Sequence, residues 1–455
     1  MTDGVVARPD NLLSFTDQVM FLAMRATGQE SVMQAVWIYE HPVDFDGLVR
    51  FHRNLGHGVL GRLIECSPLP FGRHRWVAGA GPRPDVDIAE CPRPRAELSD
   101  WVDERAQLPI DPEWGPGWSL GVLPLTDGST AVSLVVSHYL ADGIGGFAEV
   151  IDAVTGNIRN YGYPPPRSRS RLRAAAFDAR QTLRGAPEVA RALGAGARLV
   201  YRRRHDFVRS RESRPAPIPS DGADCNVVVP AISVYVDLDD WDARAEALHG
   251  NSYSLVAGFA VKLAERIGRR RASDGAVTLN VPVNERSLDD TRANAVALFN
   301  ISIDPTHVST DLSDIRVGLK QAVKSAREVP DETLQLLPLI PFVPKRAVKR
   351  LADVLFGFAA DLPVSCSNVG DLPAEIACAD GTPAEYVMLR GIDRHVTRRT
   401  LEQRCGLLTL VVGRIVGKMS INIVAYQPGA ENSKAHLREL AARTLAEFEL
   451  TGVID

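Results

Sequence analysis

The sequence predicts an α/β protein built as two lobes of similar size, and three observations carry that reading. The chain has 455 residues, room for two to three domains. Segments with the apolar spacing of helices alternate with short β-branched runs, in a similar rough order in both halves. Two breaks separate those halves: YGYPPPRSRSR at 161–171, whose three consecutive prolines cannot sit inside a helix or a central strand, and the Pro/Gly/Ser-rich SRPAPIPSDGADC at 213–225. The expected division is an N-terminal lobe over 1–160, a basic helical linker over 161–225 and a C-terminal lobe over 226–455.

In the first half, MQAVWIY (33–39) reads as a strand, and FDGLVRFHRNLGH (45–57) as a helix that ends near Gly56. VLGRLIE, RHRWVA and WSLGVLPL read as further strands. TAVSLVVSH (130–138) is the strongest, being β-branched, apolar and preceded by the turn Thr126-Asp127-Gly128. GGFAEVIDAVTG follows as a helix closing at Gly156. Residues 170–205 have helical composition, interrupted at Gly185 and Pro187. In the second half, VVVPAISVYVDL reads as a strand that Pro230 weakens or moves to an edge. SYSLVAGFAVKLAERIGRR (252–270) is a helix with Ser254 as the expected N-cap. Strands are expected at AVTLNVPV and VALFNISI, helices at 311–328 and 345–357, a strand pair at 405–413 and 417–426, and a last helix at 432–449.

Composition narrows the function. Charged residues make up 24% of the chain and its net charge is −4, which argues against a general polyanion binder. The arginines between Arg167 and Arg214 are the exception. They suit contact with acidic lipid, a carrier-protein arm or coenzyme A phosphates, or form a solvated helical face. Nucleic acid is not expected, since no aromatic-interleaved basic platform accompanies them. Six scattered cysteines lack metal-ligand spacing, so reduced thiols and no metal are expected. No signal-peptide core or membrane-span-length apolar run is present, which suggests a cytoplasmic protein, peripheral to a membrane at most.

The chemistry concentrates in SHYLADGIGG (137–146). His138 ends the apolar strand. Asp142 follows four residues later, ahead of Gly143, Gly145 and Gly146, which permit a tight turn and close approach of another backbone. A bland reading is a core histidine beside a turn aspartate. A sharper one is a general base at a strand end, with the aspartate turned inward to hold the loop. A buried Asp142 then requires a cation, and arginine suits because its planar fork makes two hydrogen bonds. Arg286 in NVPVNERSLDD is the preferred partner and Arg62 the alternative. A second H-x-x-x-D, His307 to Asp311, has no trailing glycine and reads as structural, with Thr310 or Asp311 capping a helix.

SHYLADGIGG resembles the H-x-x-x-D-G signature of the chloramphenicol-acetyltransferase-like superfamily, which includes condensation domains. The wider pattern is closest to wax ester synthase/diacylglycerol acyltransferases and polyketide-associated acyltransferases. LLSFTDQVMFL (Ser14, Asp17) resembles that family's opening, and LPIDPEWGPGWSLGVLPL the segment before its active-site strand. NVPVNERSLDDTRANAVALFNISI resembles its central P-V-x-x-R … N block, with Asn294 at the family asparagine, and SCSNVGDLP its S-N-V-P-G-P stretch. Ser137 replaces the usual first histidine and Gly370 the proline. These departures put wax or triacylglycerol synthesis in doubt more than acyl transfer itself.

The resemblance implies two lobes in a V shape with a tunnel between them, entered by an acyl thioester from one face and an acceptor from the other. It also implies that Arg286 pairs with Asp142. His138 would take the acceptor's proton as it attacks the thioester, while Asn294, Ser367 and Asn368 are candidates for the oxyanion or tunnel contacts. No permanent cofactor is expected, with acyl-CoA or acyl-phosphopantetheine serving as co-substrate. The expected activity is ester formation on a lipid-like alcohol. The alternatives are amide formation by a free-standing condensation enzyme, or a non-catalytic member that binds a carrier protein or lipid.

Overall fold

In the computed structural model, residues 11–79, 86–198, 225–287, 290–328, 332–343 and 362–455 are described. The strands in chain order are β1 (Glu30–Tyr39), β2 (Arg62–Glu65), β3 (Arg75–Ala78), β4 (Asp87–Ile88), β5 (Trp118–Pro124), β6 (Thr130–Ser137) and β7 (Ala231–Asp237). They continue with β8 (Val277–Asn284), β9 (Val296–Ile303), β10 (Val364–Asp371), β11 (Tyr386–Arg394), β12 (Leu407–Ile415), β13 (Lys418–Tyr426) and β14 (Val453–Ile454). One sheet has the order β11-β1-β6-β5-β4, a second the order β14-β7-β13-β12-β10-β8-β9, and β2 and β3 form a separate ribbon. Each large sheet is covered by helices, giving a mixed α/β protein of two sheet-and-helix lobes.

The two sheets are not confined to the two halves of the sequence. β11 comes from the second half, yet pairs antiparallel with β1 over Glu30–Ile38. It also brings Ile392 into a buried cluster with Val32 and Val135 of the first sheet and Val424 of the second. Trp37 of β1 donates its indole N–H to the carbonyl of Ile376, at 2.6 Å. The first lobe therefore needs residues 374–394 to close its core.

β6 is buried at every position, as its continuous apolar run requires of a central strand. The helix after it is α4 (Gly143–Thr155), which starts two residues earlier than expected and ends at Gly156 in the left-handed region, φ 73°. Helices α1 (Phe15–Thr27), α2 (Phe45–Leu55) and α3 (Leu98–Gln107) precede it, and α5 (Arg171–Arg184) follows. The chain is helical again over 186–198. The rest of the expected linker, 199–224, lies outside the described residues, as does the helix expected at 345–357.

In the second lobe Pro230 stands immediately before β7, where its missing N–H breaks no ladder bond. The helix expected from 252 runs Ser252–Arg266, but its cap is Asn251 and not Ser254. The Asn251 side chain accepts from the Ser254 N–H at 2.9 Å and the Ser254 hydroxyl accepts from the Asn251 N–H at 2.7 Å, a reciprocal capping box. Asp311 caps the helix Ser313–Glu328 by accepting from the Ser313 N–H at 2.8 Å, and His307 is exposed. The second H-x-x-x-D is thus a turn and cap. Among the described residues no helix is long and apolar enough to cross a membrane, and no cluster of three or more His, Cys, Asp or Glu could hold a metal.

One buried acid gives the first lobe a pH dependence. Glu149 of α4 is sealed against residues 58–59, and accepts from the Val59 N–H at 3.0 Å. Burial pushes its pKa from 4.5 up to about 7. Folding thus disfavours its ionised form. The stability it contributes is complete below the ordinary glutamate range and is lost as pH rises through about 7. Glu149→Gln keeps an acceptor for Val59 and removes the charge. It should raise stability at about pH 8 by roughly 2 kcal/mol and change little near pH ~4, as read by urea unfolding at the two pH values.

Candidate active site

His138 is the first residue beyond β6. Its N–H donates to the Ser31 carbonyl of β1 at 3.0 Å, which continues the β6–β1 ladder by one residue. Its carbonyl accepts from the Asn294 side-chain amide at 3.3 Å. The ring is half-buried and lines a cavity of about 1090 Å³. Nδ1 is buried without a hydrogen-bond partner, so Nε2 is the ring nitrogen left to face the cavity.

Both lobes wall this cavity. Met33 of β1, Leu134 of β6 and Phe147 of α4 come from the first, and Leu298 of β9, Ser367 of β10 and Val411 of β12 from the second. The space is at the upper end of the range for small-molecule sites and suits an acyl chain with a second reactant.

Asp142 caps α4. One carboxylate oxygen accepts from the Gly145 N–H at 2.7 Å, and the other from the Ala295 N–H and from Arg286 Nη2, both at 2.8 Å. The Asp142 side chain is 4% exposed and that of Arg286 11%. Arg286 also donates to the carbonyls of Asp290, Arg292 and Ala293. This pair therefore ties the loop after β6 to the loop between β8 and β9 across the two lobes. Arg62, the alternative partner, stacks over Trp76 at 3.7 Å and donates to Leu140, Tyr163 and Thr291.

Of the loop's glycines, Gly145 lies closest to the ion pair. A Cβ there would lie 3.1 Å from Arg286 Nη2, whereas one on Gly143 would meet nothing within 4 Å. Gly143 is the first residue of α4.

Asn294, expected at the oxyanion or along the tunnel, lines the cavity. Its side-chain amide donates to Asp17 at 3.2 Å and to the His138 carbonyl at 3.3 Å, which uses both N–H groups. No donor remains for an oxyanion. Asp17 of α1 is the matching anchor, accepting from the backbone N–H groups of Ala293 and Asn294 at 3.1 and 2.8 Å. Ser14 caps α1 by accepting from the Asp17 N–H at 3.0 Å. The opening segment thus holds the 293–295 turn beneath His138. Ser367 and Asn368 line the cavity from β10. Asn368 Oδ1 accepts from the Gly370 N–H at 3.0 Å, leaving the side-chain N–H groups for other partners.

Sequence reasoning missed Asp393. It lies opposite Ser31 in the β1–β11 ladder, and Ser31 lies beside His138. Directly opposed residues share a face of the sheet. His138, Ser31 and Asp393 therefore form one row across three strands, and all three line the cavity. Burial raises the pKa of Asp393, while the opposing pulls of Arg404, the Ser31 hydroxyl and His138 favour its charged form. The signal was in GIDRH, but no strand was expected there.

No protein-family model matches the chain, and no curated protein matches it. Solved structures do. The first condensation domain of the CDA synthetase is 15% identical over 99% of this chain and 100% of that chain, with a TM-score of 0.55. The wax ester synthase/diacylglycerol acyltransferase from Marinobacter aquaeolei VT8 is 16% identical over 96% and 98%, with a TM-score of 0.55. Polyketide synthase associated protein 5 from Mycobacterium tuberculosis is 15% identical over 96% of each chain, with a TM-score of 0.52. The chain therefore shares the two-lobed fold of these condensation-domain and acyltransferase structures, with the H-x-x-x-D-G segment lining the cavity walled by both sheets.

Proposed function

We propose that the protein is an acyltransferase that moves an acyl group from a coenzyme A or carrier-protein thioester to an alcohol, with His138 as general base. The observation that carries this reading is the half-buried imidazole at the end of β6, inside a cavity walled by both lobes. The acceptor hydroxyl gives its proton to Nε2 as its oxygen attacks the thioester carbonyl carbon. The tetrahedral oxyanion takes hydrogen bonds from the Ser367 hydroxyl and the Asn368 side-chain amide. Collapse breaks the C–S bond, and the departing thiolate takes the proton back from the imidazolium. The chain's own groups suffice for each transfer. The aliphatic walls favour a lipid-like acyl group or acceptor. Asp142 and Arg286 hold the loop and stay out of the proton's path. The V-shaped passage with donor and acceptor entering from opposite faces is part of the same proposal.

Asp393 deepens the mechanism. In its ionised form, which Arg404, the Ser31 hydroxyl and His138 favour against burial, the carboxylate one strand beyond Ser31 stabilises the imidazolium of the transition state. Asp393→Asn is expected to lower kcat about tenfold with little change in KM, the cost of roughly one pKa unit of lost stabilisation. An unchanged kcat would remove Asp393 from the mechanism.

The activity is tested by thiol release from a panel of acyl-CoA and acyl-carrier donors with matched long-chain alcohols and amines. Ester product from alcohols is expected. Amide product alone would give the reaction to an amine acceptor, and no thiol release with any pair would leave a non-catalytic binder.

A further inference from the structure

We infer that α5 and the helical residues 186–198 form a docking face for an anionic phospholipid surface. Leu172, Leu183 and Leu193 are 84%, 75% and 60% exposed, unusual for leucine on a surface helix. They fall in two rows, one on each helix. Leu172, Ala176, Ala179 and Leu183 follow at spacings of four, three and four, and Ala186, Ala190, Leu193 and Ala197 repeat that pattern. Of these eight, only Ala179 is partly covered. The opposite side faces the protein: Ala174, Asp178 and Ala192 are buried, and Asp178 pairs with Arg75 at 2.8 Å. The amphipathicity is thus inverted, with an apolar stripe turned to solvent.

Charge selects the occupant. Arg173, Arg180, Arg184 and Arg191 flank the stripe, all exposed. Among the described residues they form no ion pair, and Glu188 is the one exposed acid of 171–198. Two copies placed stripe to stripe would bring these arginine rows together without compensating acids, which disfavours self-association. An anionic bilayer satisfies both features. The leucines enter the acyl boundary while the arginine stems lie along it with their guanidiniums at the phosphates. None of these residues lines the cavity. The inference therefore stands or falls separately from acyl transfer.

The test is co-sedimentation of the full chain with vesicles of phosphatidylglycerol mixed with phosphatidylcholine, and with phosphatidylcholine alone. Binding to the anionic vesicles should exceed binding to neutral ones by about tenfold or more at low salt and weaken steeply by ~0.5 M salt. The variant Leu172→Ser/Leu183→Ser/Leu193→Ser should lose about tenfold in partitioning. The variant Arg173→Gln/Arg180→Gln/Arg184→Gln/Arg191→Gln should not bind. Far-UV circular dichroism and a thermal melt confirm that both remain folded. Equal partitioning to both vesicle types, no partitioning, or wild-type binding by both variants overturns the proposal. So does a dimer in sedimentation velocity, or binding to a holo acyl carrier protein without vesicle binding, either of which assigns the stripe to a protein partner.

Discussion

His138→Ala is expected to lower kcat/KM for thioester-dependent acylation by about a hundred- to ten-thousandfold, the range that a positioned general base contributes. The substitution removes the imidazole alone. The bonds that hold residue 138, its N–H to Ser31 and its carbonyl from Asn294, are made by the backbone and survive. The unfolding midpoint should therefore stay within about 1 kcal/mol of wild type, since a half-exposed ring leaves no sealed void. The loss should appear in kcat, because the imidazole acts on a proton that moves only in the transition state. The cavity would still hold both reactants, which leaves a residual rate from proximity. Thiol release followed with the natural chain and the variant separates the outcomes. Turnover of the variant within a factor of about three of wild type would remove the base from the mechanism.

Arg286→Met should have the largest effect on stability, about 3–5 kcal/mol by urea unfolding, because it strands a buried carboxylate without its countercharge. The Asp142 side chain, 4% exposed, would keep the N–H groups of Gly145 and Ala295 but lose the Arg286 guanidinium. The carbonyls of Asp290 and Arg292 would lose their Arg286 donor at the same time, while that of Ala293 would keep the Asp142 N–H. Activity should fall with stability, since the loops tied by this pair carry His138 and its supporting Asn294. The double variant Asp142→Asn/Arg286→Met should be less destabilised than the sum of the single changes, the sign of direct coupling. Additive losses would mean that the pair is not the unit described.

The contrast between these two sites explains what the sequence made legible. β6 was readable because a central strand buried on both faces must be a continuous apolar run, and its turn Asp127-Gly128 marks the start. The pairing of Asp142 with an arginine followed from the cost of a buried charge, which does not depend on knowing the fold. The internal bonding of the Asn294 amide did not follow. Its position came from a motif, but Asp17, 277 residues away in sequence, uses its amide. β11 was hidden because its charged residues break the apolar pattern of a strand. Arg390 and Arg394 are buried there, the first paired with Asp103 and Gln34 and the second with Glu30. Such satisfied charges look like a loop until their partners are in place. Missing β11 also meant missing Asp393, the acid in the same row as His138. Which of the three glycines lies against the ion pair needed the actual approach of Arg286, which no spacing rule supplies.

The central claim is that a thioester carbonyl meets His138 inside the cavity shared by the two lobes. The most direct measurement is a crystal structure with a non-cleavable thioether analogue of a long-chain acyl-CoA. The account predicts the acyl chain along Leu134 and Leu298, with the carbon standing for the carbonyl about 3–4 Å from the nucleophile's position beside Nε2. An analogue bound elsewhere on the surface, with the cavity around His138 still empty at saturation, would contradict it.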